Sequence, residues 1–145
     1  MSEILTKELI VAAGSATTKE GAIAEAGDLL VKAGAVTPAY VDAMLERERS
    51  FSTYMGSYLA IPHGTNESKE NIVHSAVSLV RYADPIDWNG HEVRIVVGIA
   101  GVNNEHLGIL SKIAVIFSDS DEAEKMLTAT TEDELYEVLE AVNAE

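Results

Sequence analysis

Val93-Arg94-Ile95-Val96-Val97-Gly98-Ile99-Ala100 is a continuous run of mostly β-branched residues. Such a run suits a strand buried on both faces, because a half-exposed strand alternates apolar and polar side chains. Upstream, Ser75–Tyr82 alternates enough to be a second strand. Asp84-Pro85 and Asn89-Gly90 are turn signals on either side of a short segment that holds Trp88. The connection is too brief for a helical crossover if the two strands pair directly, so at least one pairing is expected to be antiparallel.

Working outward, helices should cover this sheet. Thr17-Thr18-Lys19-Glu20 reads as a capping box, with the Thr17 hydroxyl and the Glu20 carboxylate three residues apart. Ala22, Ile23, Ala26, Leu29, Leu30 and Ala33 then recur at helical spacing, and Gly34 sits where the helix should stop. Thr37-Pro38 offers a cap with proline at the first helical position, followed by a stripe of Val41, Met44 and Leu45. That helix runs out in Glu46-Arg47-Glu48-Arg49, whose cations suit the negative C-terminal end. Downstream, Asn103-Asn104-Glu105-His106 opens a helix with the stripe Leu107, Leu110, Ile113, Ala114 and Phe117. A short helix around Asp121–Leu127 follows, and Thr131-x-x-Glu134 caps a last one with Leu135, Val138, Leu139 and Val142 inside. Leu5–Ala13 stays open between a short strand and a helical lead-in. The expected fold is α/β: a single domain over 1–145 with a mixed, mostly parallel central sheet flanked by helices.

Composition narrows the function. The chain has 145 residues, 24 Asp+Glu against 10 Lys+Arg, a formal charge of −14, and no cysteine. The charge argues against nucleic acid and anionic membrane as partners, since both require a basic footprint. Without cysteine there is no disulfide, thiolate metal site or thiol nucleophile. The longest uncharged apolar stretch, Ile95–Val102, falls far short of the ~20 residues that span a bilayer. A soluble, cytoplasmic protein with no direct membrane insertion is expected.

Four histidines remain as reactive candidates: His63, His74, His91 and His106. No pair has the i, i+4 spacing of a helical metal site, and the nucleophile-elbow, dinucleotide and P-loop patterns are absent. His63 follows an extended Tyr54–Pro62 segment and stands in the turn Pro62-His63-Gly64. Proline fixes the backbone before it, and glycine after it removes a side chain. Thr65 and Asn66 add a hydroxyl, an amide and a cap for the next segment, so the turn could receive an anion. The plainer reading is a loop histidine without a role. His106 lies in the first turn of its helix, where the dipole favours negative charge and a neutral imidazole can donate to a phosphate oxygen. Its plainer reading is a helix-surface histidine. Arg47 and Arg49 could be surface ion pairs, or one of them an oxyanion partner. His74 and His91 are given no role.

Taken together, Thr18-Lys19-Glu20-x-Ala22-Ile23, Tyr40-Val41-x-Ala43-Met44-x-x-Arg47-Glu48, Ala60-Ile61-Pro62-His63-Gly64-Thr65, Val97-Gly98-Ile99-Ala100 and Asn103-Asn104-Glu105-His106-Leu107 form an ordered set. The set resembles the enzyme IIA domain of the mannitol/fructose class of the bacterial phosphoenolpyruvate-dependent sugar phosphotransferase system, over the whole chain. The resemblance implies that His63 is the phosphorylated nucleophile, charged by phospho-HPr. It also implies that Arg47 and His106 contact or orient the phosphoryl group, with Gly64 and Thr65 in the phosphate pocket. The phosphate would pass to a cysteine of a IIB domain and then to sugar moving through IIC, both expected on a separate polypeptide. Within the class the motifs are more similar to mannitol-type members than to fructose-type or nitrogen-regulatory ones. No cofactor or metal is called for, because a phosphoramidate can hand its phosphate onward unaided. Two other readings stand beside transport: a regulatory module whose phosphorylation state controls a partner, and a binding domain in which His63 does no chemistry.

Overall fold

The computed structural model describes residues 4–102 and 105–143, without the side chains of Asn66, Glu67 and Lys69. Asn103 and Asn104, and the Asn66 amide, therefore lie outside the described residues. Among the described residues the strands are β1 (Ile10–Val11), β2 (Tyr54–Gly56), β3 (Leu59–Ala60), β4 (Ala76–Trp88) and β5 (His91–Ala100). They form one sheet in the order β1-β4-β5-β3-β2. The β1–β4 and β3–β5 pairings are parallel, whereas β4–β5 and β2–β3 are antiparallel. The sheet is mixed, as expected, and half of its pairings are parallel. Leu5–Ala13, left open by the sequence, contains a 3-10 turn at Lys7–Leu9 that leads straight into β1.

The β4–β5 hairpin is the spine. Asn89-Gly90 closes it with positive φ at both residues, 54° and 93°, which is the backbone of a two-residue turn between paired Trp88 and His91. Asp84-Pro85 corrects the sequence reading: it is no turn but lies inside β4, where the ladder lapses between Arg81 and Ile86. Proline has no N–H to donate to a neighbouring strand, so the chain stays extended while the pairing skips. In β5, Val93 and Ile95–Ala100 are all buried, on alternate faces. That pattern requires cover on both sides.

The cover is helical: α1 (Lys19–Lys32), α2 (Pro38–Ser50), α3 (Glu105–Ser118), α4 (Ser120–Thr128) and α5 (Glu132–Leu139). α1 lies on β4 and β5, α2 on α1, and α3 and α4 also reach β5. Gly34 stops α1 at φ 76°, and Pro38 opens α2, both as expected. The α1 cap is Thr18, whose Oγ1 accepts from the Gly21 N–H at 3.0 Å, rather than Thr17. Adjacent threonines offer the same hydroxyl; the helix phase that buries Ala22, Ile23, Ala26 and Leu30 selects the second. At the Thr131–Glu134 cap, the Thr131 Oγ1 accepts from the Glu134 N–H at 3.2 Å and donates to the Glu134 carboxylate at 3.1 Å, which also accepts from the Thr130 N–H.

The buried stripe of α3 also differs from expectation. Ile109, Ile113 and Phe117 face the core, while Leu107 is 60 % exposed and Ala114 is exposed. Apolar residues surround most of this helix, so periodicity alone left its rotation open. No helix among the described residues is long and apolar enough to cross a membrane.

Candidate functional site

The cleft opens at the carboxyl ends of β3 and β5, two parallel neighbours. In open sheets with parallel strands, those ends and the loops leaving them are where ligands bind. After β3 the chain continues beside β5: the Ile99 N–H donates to the Pro62 carbonyl at 3.0 Å, and His63 bridges Ile99 in parallel. β5 then runs through Gly101 toward α3, whose first turn carries His106. A cavity of about 410 Å³ lies between them, lined by Tyr40, Arg47, His63, Gly64, Thr65 and His106 among others. All five residues singled out for the site by sequence thus meet in one place. Arg49, His74 and His91 do not line it; His91 instead stacks on Tyr54, with ring centroids 4.3 Å apart.

His63 is held in a defined orientation. Its Nδ1 lies 2.9 Å from the Ile61 carbonyl, which can only accept, so Nδ1 carries the proton of the neutral ring. Nε2 is then the atom with the free lone pair. Burial, above all, keeps this imidazole below its ordinary pKa. The Ile61 carbonyl works against that, the charges of Arg47 and His106 add to it, and Glu48 opposes it. The ring is therefore unprotonated at neutral pH while surrounded by groups that attract an anion.

Arg47 and His106 supply that attraction. Arg47 leaves the last turn of α2, where its Nη1 donates to the Phe51 carbonyl at 3.0 Å and its guanidinium lies over the Phe51 ring at 5.8 Å. Among the described residues no carboxylate pairs with it. His106 faces His63 with ring centroids 6.4 Å apart, and sits in the first turn of α3, where the helix dipole is positive. Gly101 makes this approach possible: a Cβ there would fall 2.3 Å from the His106 backbone nitrogen. The Ser75 hydroxyl accepts from the Val102 N–H at 3.0 Å and donates to Glu105, fastening the loop to the helix start.

Tyr40 was not read as a site residue. Its hydroxyl donates to the Ile99 carbonyl at 2.8 Å and accepts from the Gly64 N–H at 2.9 Å, tying the histidine turn to β5. Burial raises its pKa, with the Gly64 N–H opposing, so the phenol keeps the proton it donates. Gly64 is glycine for the same reason, since a Cβ would come within 2.5 Å of the Tyr40 ring. The available signal was spacing: Tyr40 and Arg47 are seven residues apart, which places both on one face of a helix. Glu48 was read as part of a charged helix end, yet it is 4 % exposed, with its carboxylate bonded to Thr53 and Trp88.

A histidine with a free Nε2, beside an unpaired arginine and a helix N-terminus, can take a phosphoryl group and stabilise its charge. Several known proteins are similar to this chain. The mannitol-specific phosphotransferase enzyme IIA component of Halalkalibacterium halodurans is 51 % identical over 140 residues, covering 97 % of each chain. The crystal structure of IIA mannitol from Escherichia coli superimposes with a TM-score of 0.86 at 38 % identity, covering 93 % of this chain and 98 % of that one. A complex of enzyme IIA for mannitol with phosphorylated enzyme IIB from Escherichia coli gives a TM-score of 0.87 at 37 % identity, covering 93 % and 96 %. The family described as phosphoenolpyruvate-dependent sugar phosphotransferase system, EIIA 2, matches residues 3–142. The chain belongs to that EIIA 2 family of the phosphoenolpyruvate-dependent sugar phosphotransferase system.

Proposed function

We propose that this chain is a cytoplasmic phosphocarrier for mannitol uptake, with His63 as the residue that carries the phosphate. The observation that carries the reading is the free Nε2 of His63, its Nδ1 proton committed to Ile61, opening on a cleft shared with Arg47 and His106. Nε2 attacks the phosphorus of the phosphohistidine on HPr; the new N–P bond forms as the donor's N–P bond breaks. In the second transfer the thiolate of a IIB cysteine attacks the same phosphorus, and His63 leaves as the neutral imidazole. The transition state is loose, so positioning and charge stabilisation are the protein's contribution. Arg47 neutralises the equatorial oxygens, His106 donates a hydrogen bond, and Gly64 and Thr65 shape the pocket floor. Mannitol as the sugar is supported by the relatives, which are named for it.

Incubation with phosphoenolpyruvate, enzyme I and HPr should add one phosphoryl group to the wild type and none to His63→Ala, read by intact mass. No gain on the wild type, or an equal gain on the variant, overturns the assignment. Transfer onward to a mannitol IIB domain, faster than to a fructose IIB domain, is the expected test of the sugar class.

A further inference from the structure

Glu48 is the one strongly buried carboxylate among the described residues, and its partners are unusual for a charge. Oε2 accepts from the Thr53 N–H at 2.9 Å and from Trp88 Nε1 at 2.9 Å, and Oε1 accepts from the Thr53 hydroxyl at 2.5 Å. All three donors are neutral, and no cation pairs with it among the described residues. A buried carboxylate is expensive to desolvate, and here three bonds offset that cost while giving the Thr53 and Trp88 donors an acceptor. The carboxylate is the hub of this corner, and what it holds in place matters for the cleft.

Its bonds lead to both sides of the cleft. Thr53 lies just beyond Phe51, the residue whose carbonyl receives Arg47. The Thr53 carbonyl in turn accepts from the Ile61 N–H at 3.1 Å, and the Ile61 carbonyl accepts from His63 Nδ1 at 2.9 Å. One carboxylate thus fixes the chain reversal that holds the Arg47 guanidinium, and also the strand end that holds the His63 ring. We propose that Glu48 is a positioning residue for phosphoryl transfer, setting Arg47 relative to His63 through Thr53, Phe51 and Ile61. The inference rests on the phosphocarrier reading above.

The test compares single-turnover phosphorylation by phospho-HPr in four proteins: wild type, Glu48→Gln, Arg47→Ala and the double variant. Glutamine keeps one acceptor but turns an amide donor toward donors, so the network loosens while the volume is kept. The limiting rate of Glu48→Gln should fall about tenfold, with the half-saturating concentration of phospho-HPr unchanged, because misplacement affects the reacting geometry and not docking. In the Arg47→Ala background the same substitution should cost clearly less than tenfold, about threefold, since only the His63 ring is then left to place. A wild-type rate for Glu48→Gln, or losses that simply multiply in the double variant, overturns the proposal.

Thr53→Val supplies an independent arm if Glu48→Gln fails to fold, judged by near-ultraviolet circular dichroism of Trp88. It removes one bond to the carboxylate and should slow transfer several-fold, about threefold or more, while Thr53→Ser keeps the wild-type rate. Equal rates for Thr53→Val and wild type also overturn the proposal. A wild type that takes no phosphate overturns the phosphocarrier reading, and this one with it; a phosphorylated wild type with an unaffected Glu48→Gln overturns only this one.

Discussion

Two regions of the molecule bind a helix C-terminal end with arginine, and they use it differently. At the end of α4, Arg81 directs Nε and Nη2 to the Leu127 carbonyl at 3.0 and 2.8 Å, and Nη1 to the Ala12 carbonyl at 3.4 Å. Arg94 adds bonds to Tyr82 and, at 3.4 Å, to Leu127. At the end of α2, Arg47 spends only Nη1, on the Phe51 carbonyl. The first guanidinium directs all three of its nitrogens to backbone carbonyls and serves packing. The second keeps most of its donor fork for whatever enters the cleft, which is what an oxyanion partner requires.

Substitutions can break this contrast. Arg47→Ala should lower the phosphorylation rate by roughly 10²- to 10³-fold while leaving the denaturation midpoint close to wild type, because it removes charge stabilisation and little packing. Arg47→Lys should recover only part of the rate, since an ammonium cannot reproduce the planar fork. A folded Arg47→Ala protein with normal transfer would remove the contrast altogether. Arg81→Ala should show the reverse: a loss of about 1–2 kcal/mol in urea unfolding, from carbonyls left short of donors, with transfer unchanged.

Tyr40→Phe sharpens the comparison from the histidine side. It deletes both bonds that fasten Gly64 to Ile99, and should slow transfer several-fold, about fivefold, with a smaller effect on stability. The smallest effect concerns pH. In the proposed transfer the acceptor is the free imidazole of His63, whose pKa is lowered from 6.5 by burial first, with Arg47 and His106 adding to the shift. Wild-type rate should therefore half-fall below pH 6.5, not at it. Arg47→Ala should move that midpoint up toward 6.5, and Arg81→Ala should leave it in place; rate–pH profiles of the three proteins decide the matter.

Much of this organisation can be read along the chain because it is local. Asn89-Gly90 permits positive φ, Pro38 pre-sets a first helical turn, and Val93–Ala100 is too apolar for any strand but a covered one. Asp84-Pro85 misled because the same dipeptide serves a turn or an interrupted ladder, and only pairing across β5 distinguishes them. Leu107 and Ala114 misled because α3 is apolar on several sides, and its rotation is set by what it packs against. His63, with its rigid neighbours, was legible as a poised side chain; Tyr40 and Glu48 were not, since Ile99, Gly64 and Trp88 lie far away in sequence, and Gly101 was not, since only the fold of the loop brings the start of α3 against it.

The sequence by itself determined the alternation of helices and strands, the central hairpin, the absence of any thiol, and the candidate trio of His63, Arg47 and His106. Those follow from hydrophobic period, turn chemistry and motif order, all of which are properties of neighbouring residues. Only the tertiary structure decided which nitrogen of His63 is free, because that depends on the Ile61 carbonyl two residues back in a particular turn. It alone also decided that Glu48 is buried, that Tyr40 pins the turn, and that no carboxylate among the described residues pairs with Arg47. Hydrogen-bond direction and burial belong to groups brought together through space, and no linear pattern specifies them.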